Sequence, residues 1–295
     1  MVTALKNFLN GIAFGVTQIV PGVSAGTVAI ILGFYNELLE SVNSFRENPG
    51  KHVKFLAAML LGAAFGIVAF GSLINYLLTS FSFPTMLFFI GLIVGAIPHI
   101  RSRAMPSRRK LKPHEIVCIA LPVLALVLIA NVETSAPADP AQVINGMGAP
   151  FMLFLFIAGV LAAAALVIPG LSGSFVLLLL GVYHVLIYSV SSIRHLLADL
   201  ANLRLMLDII KVLLPFGIGV IAGGLTAARI VGRLFEKYCV IVYLIILGLM
   251  LGSVYALFME PVVWQSGVDA AIIAVGAVTF TLGCAAAYLS GKKRF

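Results

Sequence analysis

Hydrophobic positions run along this chain in long stretches, without the alternation of a half-buried strand or the narrow stripe of a surface helix. Windows 55–78, 84–100, 114–130, 212–228, 239–258 and 268–290 are dominated by apolar residues. Most are near or above the ~17–20 residues that carry a helix across a bilayer. They predict six helical spans. Two further apolar stretches are interrupted: "IVPGVSAGTV" at 19–28 and "VIPGLSGSFV" at 167–176. Proline has no N–H with which to continue a helix, and glycine tolerates the turn that follows. Each helix must therefore stop and restart, with new helices expected near Ser24–Thr27 and Ser172–Phe175.

Composition agrees with the pattern. The 295 residues are 61% hydrophobic and only 10% charged, against roughly a quarter charged in a soluble domain. The expected fold is an all-α polytopic membrane protein. A closed β-barrel needs short alternating strands, which continuous apolar runs exclude. Segment 8–20 reads poorly as a signal peptide, because only Lys6 precedes it and no small-residue cleavage site follows. Cys118, Cys239 and Cys284 lie far apart in predicted spans and read as packing residues. No metal set and no cofactor is expected. The net charge of +8 sits in short loops between spans, where it orients a membrane protein and gives no sign of nucleic acid binding.

The chain also repeats itself. Residues 19–42 align with 167–190 at an offset of 148, with ten of 24 positions identical, among them Pro21/Pro169, Gly22/Gly170, Ser24/Ser172, Gly33/Gly181 and Tyr35/Tyr183. Beyond these the offset becomes 157, pairing Gly62 with Gly219, Gly66 with Gly223, Gly91 with Gly248 and Gly95 with Gly252. A nine-residue insertion in the connecting loop accounts for the change. The first repeat is read as 1–131, with interrupted segment 7–42 and spans 55–78, 84–100 and 114–130. An external linker follows at 132–149. The second repeat, 150–295, has interrupted segment 150–190 and spans 212–228, 239–258 and 268–290.

Loop charge orients the halves. Loop 101–112 has six basic residues and no acidic one, which places it in the cytoplasm, as it does the tail Lys292, Lys293 and Arg294. Loops 132–149 and 259–269 carry Glu133, Asp139, Glu260 and Asp269 without Lys or Arg, and are expected outside. Three crossings per repeat then require each interrupted segment to cross an even number of times. Arm 8–20, with 13 residues, reaches only ~20 Å as a helix, short of a ~30 Å hydrocarbon core. Both segments are read as re-entrant hairpins with tips at "PGVSAG" and "PGLSGS"; the alternative is that arm 151–168, with 18 apolar residues, spans fully, and parity holds if its partner does too. The two repeats would then be inverted, with both termini cytoplasmic. That is the plan of alternating-access transporters, whose sites lie near the midplane at interrupted helices.

Such a tip must be buried in protein or face water. A restarting helix offers unpaired N–H groups and a positive dipole end, and Ser24, Thr27, Ser172 and Ser174 add hydroxyls. An anion, phosphate above all, suits that arrangement. The alternative reading of each tip is a simple turn capped by Ser and Thr.

The stretches "VPGVSAGTVAIILGFYNELL" and "IPGLSGSFVLLLLGVYHVL" resemble the paired motifs of the bacterial polyprenyl-phosphate (undecaprenyl phosphate) translocase family, over most of the chain. The resemblance implies a lipid-carrier translocase of the bacterial cytoplasmic (inner) membrane. It would return undecaprenyl phosphate from the outer to the inner leaflet for cell-wall and surface-glycan synthesis. Its partners would be the polyprenyl phosphate and membrane lipids, and a homo-oligomer is compatible with it. Pro21, Gly22, Ser24, Gly26, Thr27, Pro169, Gly170, Ser172, Gly173 and Ser174 become the expected phosphate site, with Ala25 where the family has glycine. Gln18 stands where the family often has a small acidic or amide residue.

Secondary candidates are headgroup or coupling residues. Arg229 and Arg233, one turn apart, replace Ser72 and Tyr76 of the first repeat; they either attract a phosphate or anchor a span end. Glu37 and His184 would be coupling groups if buried within the membrane, and otherwise solvated end residues. "SRRKLKPH" (107–114) lacks the remainder of a lipid-phosphatase signature, and "HEIVC" (114–118) lacks the second zinc histidine. A membrane enzyme is not expected. An anion or small-solute transporter or channel using the same paired site is the competing class.

Overall fold

The computed structural model of the protein describes residues 2–19, 23–105, 111–131, 139–199, 202–264 and 269–292. Among these residues all regular structure is helical. The elements are α1 (Val2–Ile19), α2 (Ala25–Ile31), α3 (Tyr35–Asn43), α4 (Pro49–Ser80), α5 (Ser82–Ala104), α6 (Pro113–Ala130) and α7 (Pro140–Asn145). They continue with α8 (Ala149–Val167), α9 (Gly173–Leu179), α10 (Tyr183–Ala198), α11 (Leu203–Met259), α12 (Pro261–Trp264) and α13 (Ala270–Lys292). By length and composition α4, α5, α6, α8, α11 and α13 qualify to cross a membrane. Their outer faces carry side chains such as Val68, 81% exposed, and Leu60, 69% exposed, which fit lipid and not water. The chain is a multi-pass helical membrane protein.

The predicted windows fall largely within α4, α5, α6, α11 and α13, and α8, read from the sequence as a hairpin arm, is also long and apolar enough to cross. α4 starts at Pro49 because Asn48 caps it, accepting the Lys51 N–H, and proline suits the first turn. Spans 212–228 and 239–258 are limbs of the 57-residue α11, which breaks at Tyr238. The first interrupted arm differs from expectation. α1 has 18 residues, not 13, because the helix extends back through Asn7 into polar sequence. At ~1.5 Å per residue it reaches about 27 Å.

Several matched positions share local backbone features. α2 and α9 are each seven residues, and Ala25–Ile31 becomes Gly173–Leu179 at the offset of 148. Both end on a glycine in the left-handed region, Gly33 at φ 69° and Gly181 at φ 71°, where a Cβ is disfavoured. In the later segment Phe81, between α4 and α5, has φ −137° and ψ 46°. Its partner at the offset of 157, Tyr238, has φ −134° and ψ 41°. α11 is thus the fused counterpart of α4 and α5. The bend between α9 and α10 is 115°.

Packing divides the chain into two compact units. One comprises Met1–Val132, Ile168–Leu171 and Arg229–Phe295; the other comprises Glu133–Val167 and Ser172–Ala228. In the first, α1 lies on α4 along Gly11, Gly15, Gly62 and Gly66, whose missing side chains admit the facing backbone. α5 packs on α13 through Gly91, Gly95 and Gly283, and the later limb of α11 packs on α6 at Gly248 and Gly252. In the second unit α8 meets the early limb of α11 along Gly159, Gly219 and Gly223. Its core gathers Ile144, Leu155, Ala158, Val182, Val185, Leu186 and Val212. Small residues that bring helix backbones together are the usual device where lipid removes the hydrophobic drive between helices.

Candidate functional site

The first motif is described from Val23 onward, and Pro21 and Gly22 lie outside the described residues. Ser24 is in an extended conformation and caps α2, its hydroxyl oxygen accepting the Thr27 N–H at 3.4 Å. The same oxygen accepts the Gly170 N–H at 3.0 Å. The two motifs therefore meet within the first unit, 146 residues apart in sequence. Gly170 has φ 93°, and a Cβ there would also collide with Leu249. The Ser253 hydroxyl donates to the Gly170 carbonyl and lies 2.8 Å from the Leu249 carbonyl. Gly170 is held from both sides of its backbone.

These groups are buried: Ser24 is 2% exposed and Thr27 is 3%. Ala25, Gly26, Pro169 and Gly170 are buried too. Helix geometry leaves the Ala25 and Gly26 N–H groups without intrahelical acceptors. Ser24 accepts two hydrogen bonds and retains its own proton for donation. The site can offer an anion neutral donors, and in this conformation it is closed over them.

The second motif is assembled differently. Ser172 occupies the cap position of α9, yet its side chain caps no N–H. Its hydroxyl instead pairs with that of Ser174 at 2.9 Å. The first-turn amides of Gly173, Ser174 and Phe175 therefore lack the side-chain acceptor that Ser24 gives α2. Gly173 sits against the Ala162 carbonyl, where a Cβ would be crowded.

The remaining candidates are dispersed. Gln18, near the end of α1, is half-buried, and its Nε2 has no acceptor among the described residues. Glu37 is half-buried in the first turn of α3, where a carboxylate complements the helix dipole. His184 is exposed and lies edge-on to the Tyr183 ring at 5.5 Å. Arg229 and Arg233 are both exposed on α11 before its break. Among the described residues, no hydrogen bond ties these five to the tips.

Sequence reasoning missed three buried polar features. Ser253 stands where the first repeat has Ala96. His52 is 2% exposed, its Nδ1 3.3 Å from the Ser41 hydroxyl, and its second-repeat counterpart is Ile209. Asn10, 5% exposed, has an Nδ2 without an acceptor among the described residues, and Ala158 replaces it in the second repeat. Each is a polar residue at a position that the other repeat fills with an apolar one, and that was a usable signal.

A family model described as undecaprenyl phosphate translocase-like matches residues 14–273. A polyprenyl-phosphate transporter of Staphylococcus aureus (strain NCTC 8325 / PS 47) is 29% identical over 253 residues, 85% of this chain and 85% of its own length. A polyprenyl-phosphate transporter of Vibrio cholerae serotype O1 (strain ATCC 39315 / El Tor Inaba N16961) is 27% identical over 276 residues. That alignment spans 88% of this chain and 77% of the relative. No solved structure matches the chain.

Proposed function

The chain belongs to the undecaprenyl phosphate translocase-like family, and from that premise we propose that it moves polyprenyl phosphate between the leaflets of the bacterial inner membrane. The direction that serves recycling is from the outer leaflet to the inner one. The phosphate is held where the two motif tips meet, and the prenyl tail stays in lipid. The observation that carries this reading is the hydrogen bond from Gly170 N–H to Ser24 Oγ. It brings two interrupted segments to one point, with free first-turn amides beside it.

A phosphate monoester is a strong acceptor, and neutral donors bind it without the deep trap of a fixed countercharge. Because Ser24, Thr27 and Gly170 are buried, access requires the Ser24–Gly170 contact to part, which makes this conformation the occluded stage of an alternating-access cycle. The two repeats are inverted in this scheme, with both termini in the cytoplasm, so that equivalent openings face opposite leaflets.

The decisive experiment reconstitutes the protein in vesicles holding a fluorescent short-chain polyprenyl phosphate and follows its loss from the outer leaflet. Protein-dependent movement is expected, and Ser24→Ala should slow it. Protein-dependent flux of small anions with no lipid movement would overturn the reading in favour of an anion transporter.

A further inference from the structure

The polar face of α1 has no counterpart in α8, although the two helices occupy the same place in their repeats. Residues 7, 10, 14, 17 and 18 fall on one side of an α-helix. On α1 that side carries Asn7, Asn10 and Thr17, each 5% exposed, together with half-buried Gln18. Thr17 satisfies itself by donating to the Phe14 carbonyl at 2.7 Å. Asn10 Nδ2 and Gln18 Nε2 have no acceptor among the described residues. At the same offsets α8 has Leu155, Ala158, Ala165 and Leu166, of which Leu155 and Ala158 are completely buried.

Both helices also pack alike. Gly11 of α1 meets α4 near Gly62, and Gly159 of α8 meets α11 near Gly219, at matching offsets. The fold therefore does not need amides on this face, since the duplicate builds it from Leu and Ala. A buried donor without an acceptor opposes stability. Among the described residues nothing supplies that acceptor, and a bound ligand can. Of the groups that the proposed activity brings into the protein, a phosphate monoester is the one rich in acceptor oxygens.

We propose that Asn10 and Gln18 are headgroup-binding stations for the phosphate of the transported lipid, on a track along α1 that leads to the motif tip. This rests on the translocase reading of the same site. Eight residues separate the two amides, about 12 Å along a helix, so one phosphate engages them in turn and not together. The motif begins three residues beyond Gln18.

The test places the second repeat's own residues into the first: Asn10→Ala and Gln18→Leu, in the full chain in vesicles. With limiting fluorescent short-chain polyprenyl phosphate, each variant is expected to move lipid about tenfold more slowly, the loss of one hydrogen bond to a charged acceptor. The deficit should shrink at saturating lipid. Melting temperature in detergent should stay level or rise, because an unpaired donor is gone. Asn10→Asp, which keeps the shape and adds a negative charge, should be slower still than Asn10→Ala. Wild-type rates and lipid dependence in Asn10→Ala, beside an active wild type, would overturn the track. So would a parallel fall in melting temperature and transport, which marks a structural amide. A labelled-orthophosphate flux that Asn10→Ala abolishes would assign the stations to free phosphate and overturn the lipid track. An inactive wild type would instead overturn the translocase reading itself.

Discussion

α1 and α8 hold matching positions at the offset of 148 but differ in what they bury. Each leads into an interrupted motif and lies on the next long helix along a glycine seam. α8 buries Leu155 and Ala158 in an apolar core, while α1 buries Asn7 and Asn10. The tips diverge in the same sense: Ser24 caps its helix and grips Gly170, whereas Ser172 pairs with Ser174. Steric constraints are shared, because a backbone contact tolerates no Cβ in either copy. Polar constraints are not, because hydrogen-bond chemistry at each position answers to a separate partner. α8 buries apolar side chains on this face, and α1 buries polar ones.

The largest expected effects test the shared part. A Cβ on Gly62 would run into the Phe8 carbonyl, and one on Gly219 into the Phe156 carbonyl. Gly62→Ala and Gly219→Ala should each cost about 1–3 kcal/mol, the usual penalty of overpacking. Gly71→Ala and Gly217→Ala meet nothing within 4 Å and should be neutral or mildly stabilising through helix propensity. Melting temperatures in detergent measure all four. Damage at Gly62 without damage at Gly219 would break the equivalence of the seams.

The next contrast lies at the tips. Ser24→Ala removes the acceptor for two buried N–H groups, Thr27 and Gly170, and leaving such a donor unmet costs about 1–3 kcal/mol. Ser172→Ala removes only a hydroxyl–hydroxyl contact, worth about 0.5–1.5 kcal/mol. Stability and lipid movement should therefore fall further for Ser24→Ala. Equal losses would show that the motifs act symmetrically despite their different bonding.

Much of this architecture was legible in the sequence. Apolar runs located most of the long helices, though α8 was read as a hairpin arm, and Pro-Gly breaks located the restarts at Ala25 and Gly173, because both signals act locally on the backbone. The offset of 148 paired Gly33 with Gly181, and both have a left-handed backbone; the like bends at Phe81 and Tyr238 became visible only in the structure. The contact between Ser24 and Gly170 was expected only as an approach of two tips; its donor and acceptor depend on tertiary geometry. Ser253 and Asn10 went unread because a lone polar residue in an apolar run says nothing of its partner. Comparison with Ala96 and Ala158 in the other repeat would have singled them out.

The smallest effect belongs to the start of the long helices. Lys51 on α4 pairs with Glu40 at 2.8 Å, both side chains 52% exposed. The hydrogen bond and charge of Lys51 hold the Glu40 carboxyl below its ordinary value. The second repeat has Asp208 and Tyr188 at these positions, lining a small cavity with Ser189 and Ile209, the counterparts of Ser41 and His52. Exposed ion pairs contribute little, because solvent screens them and both side chains lose freedom in pairing. Because the folded carboxyl is the stronger acid, its contribution is complete above the unfolded value and is lost as pH falls through the folded one. Glu40→Gln should therefore lower the melting temperature slightly at neutral pH, and the gap from wild type should close on acidification below the ordinary carboxylate range. It should also narrow in high salt. Tyr188→Phe should stay within about 0.5 kcal/mol of wild type, as surface changes do. A gap that persisted in acid would show that Glu40 acts through packing, and the charge difference between the two repeats would lose its energetic meaning.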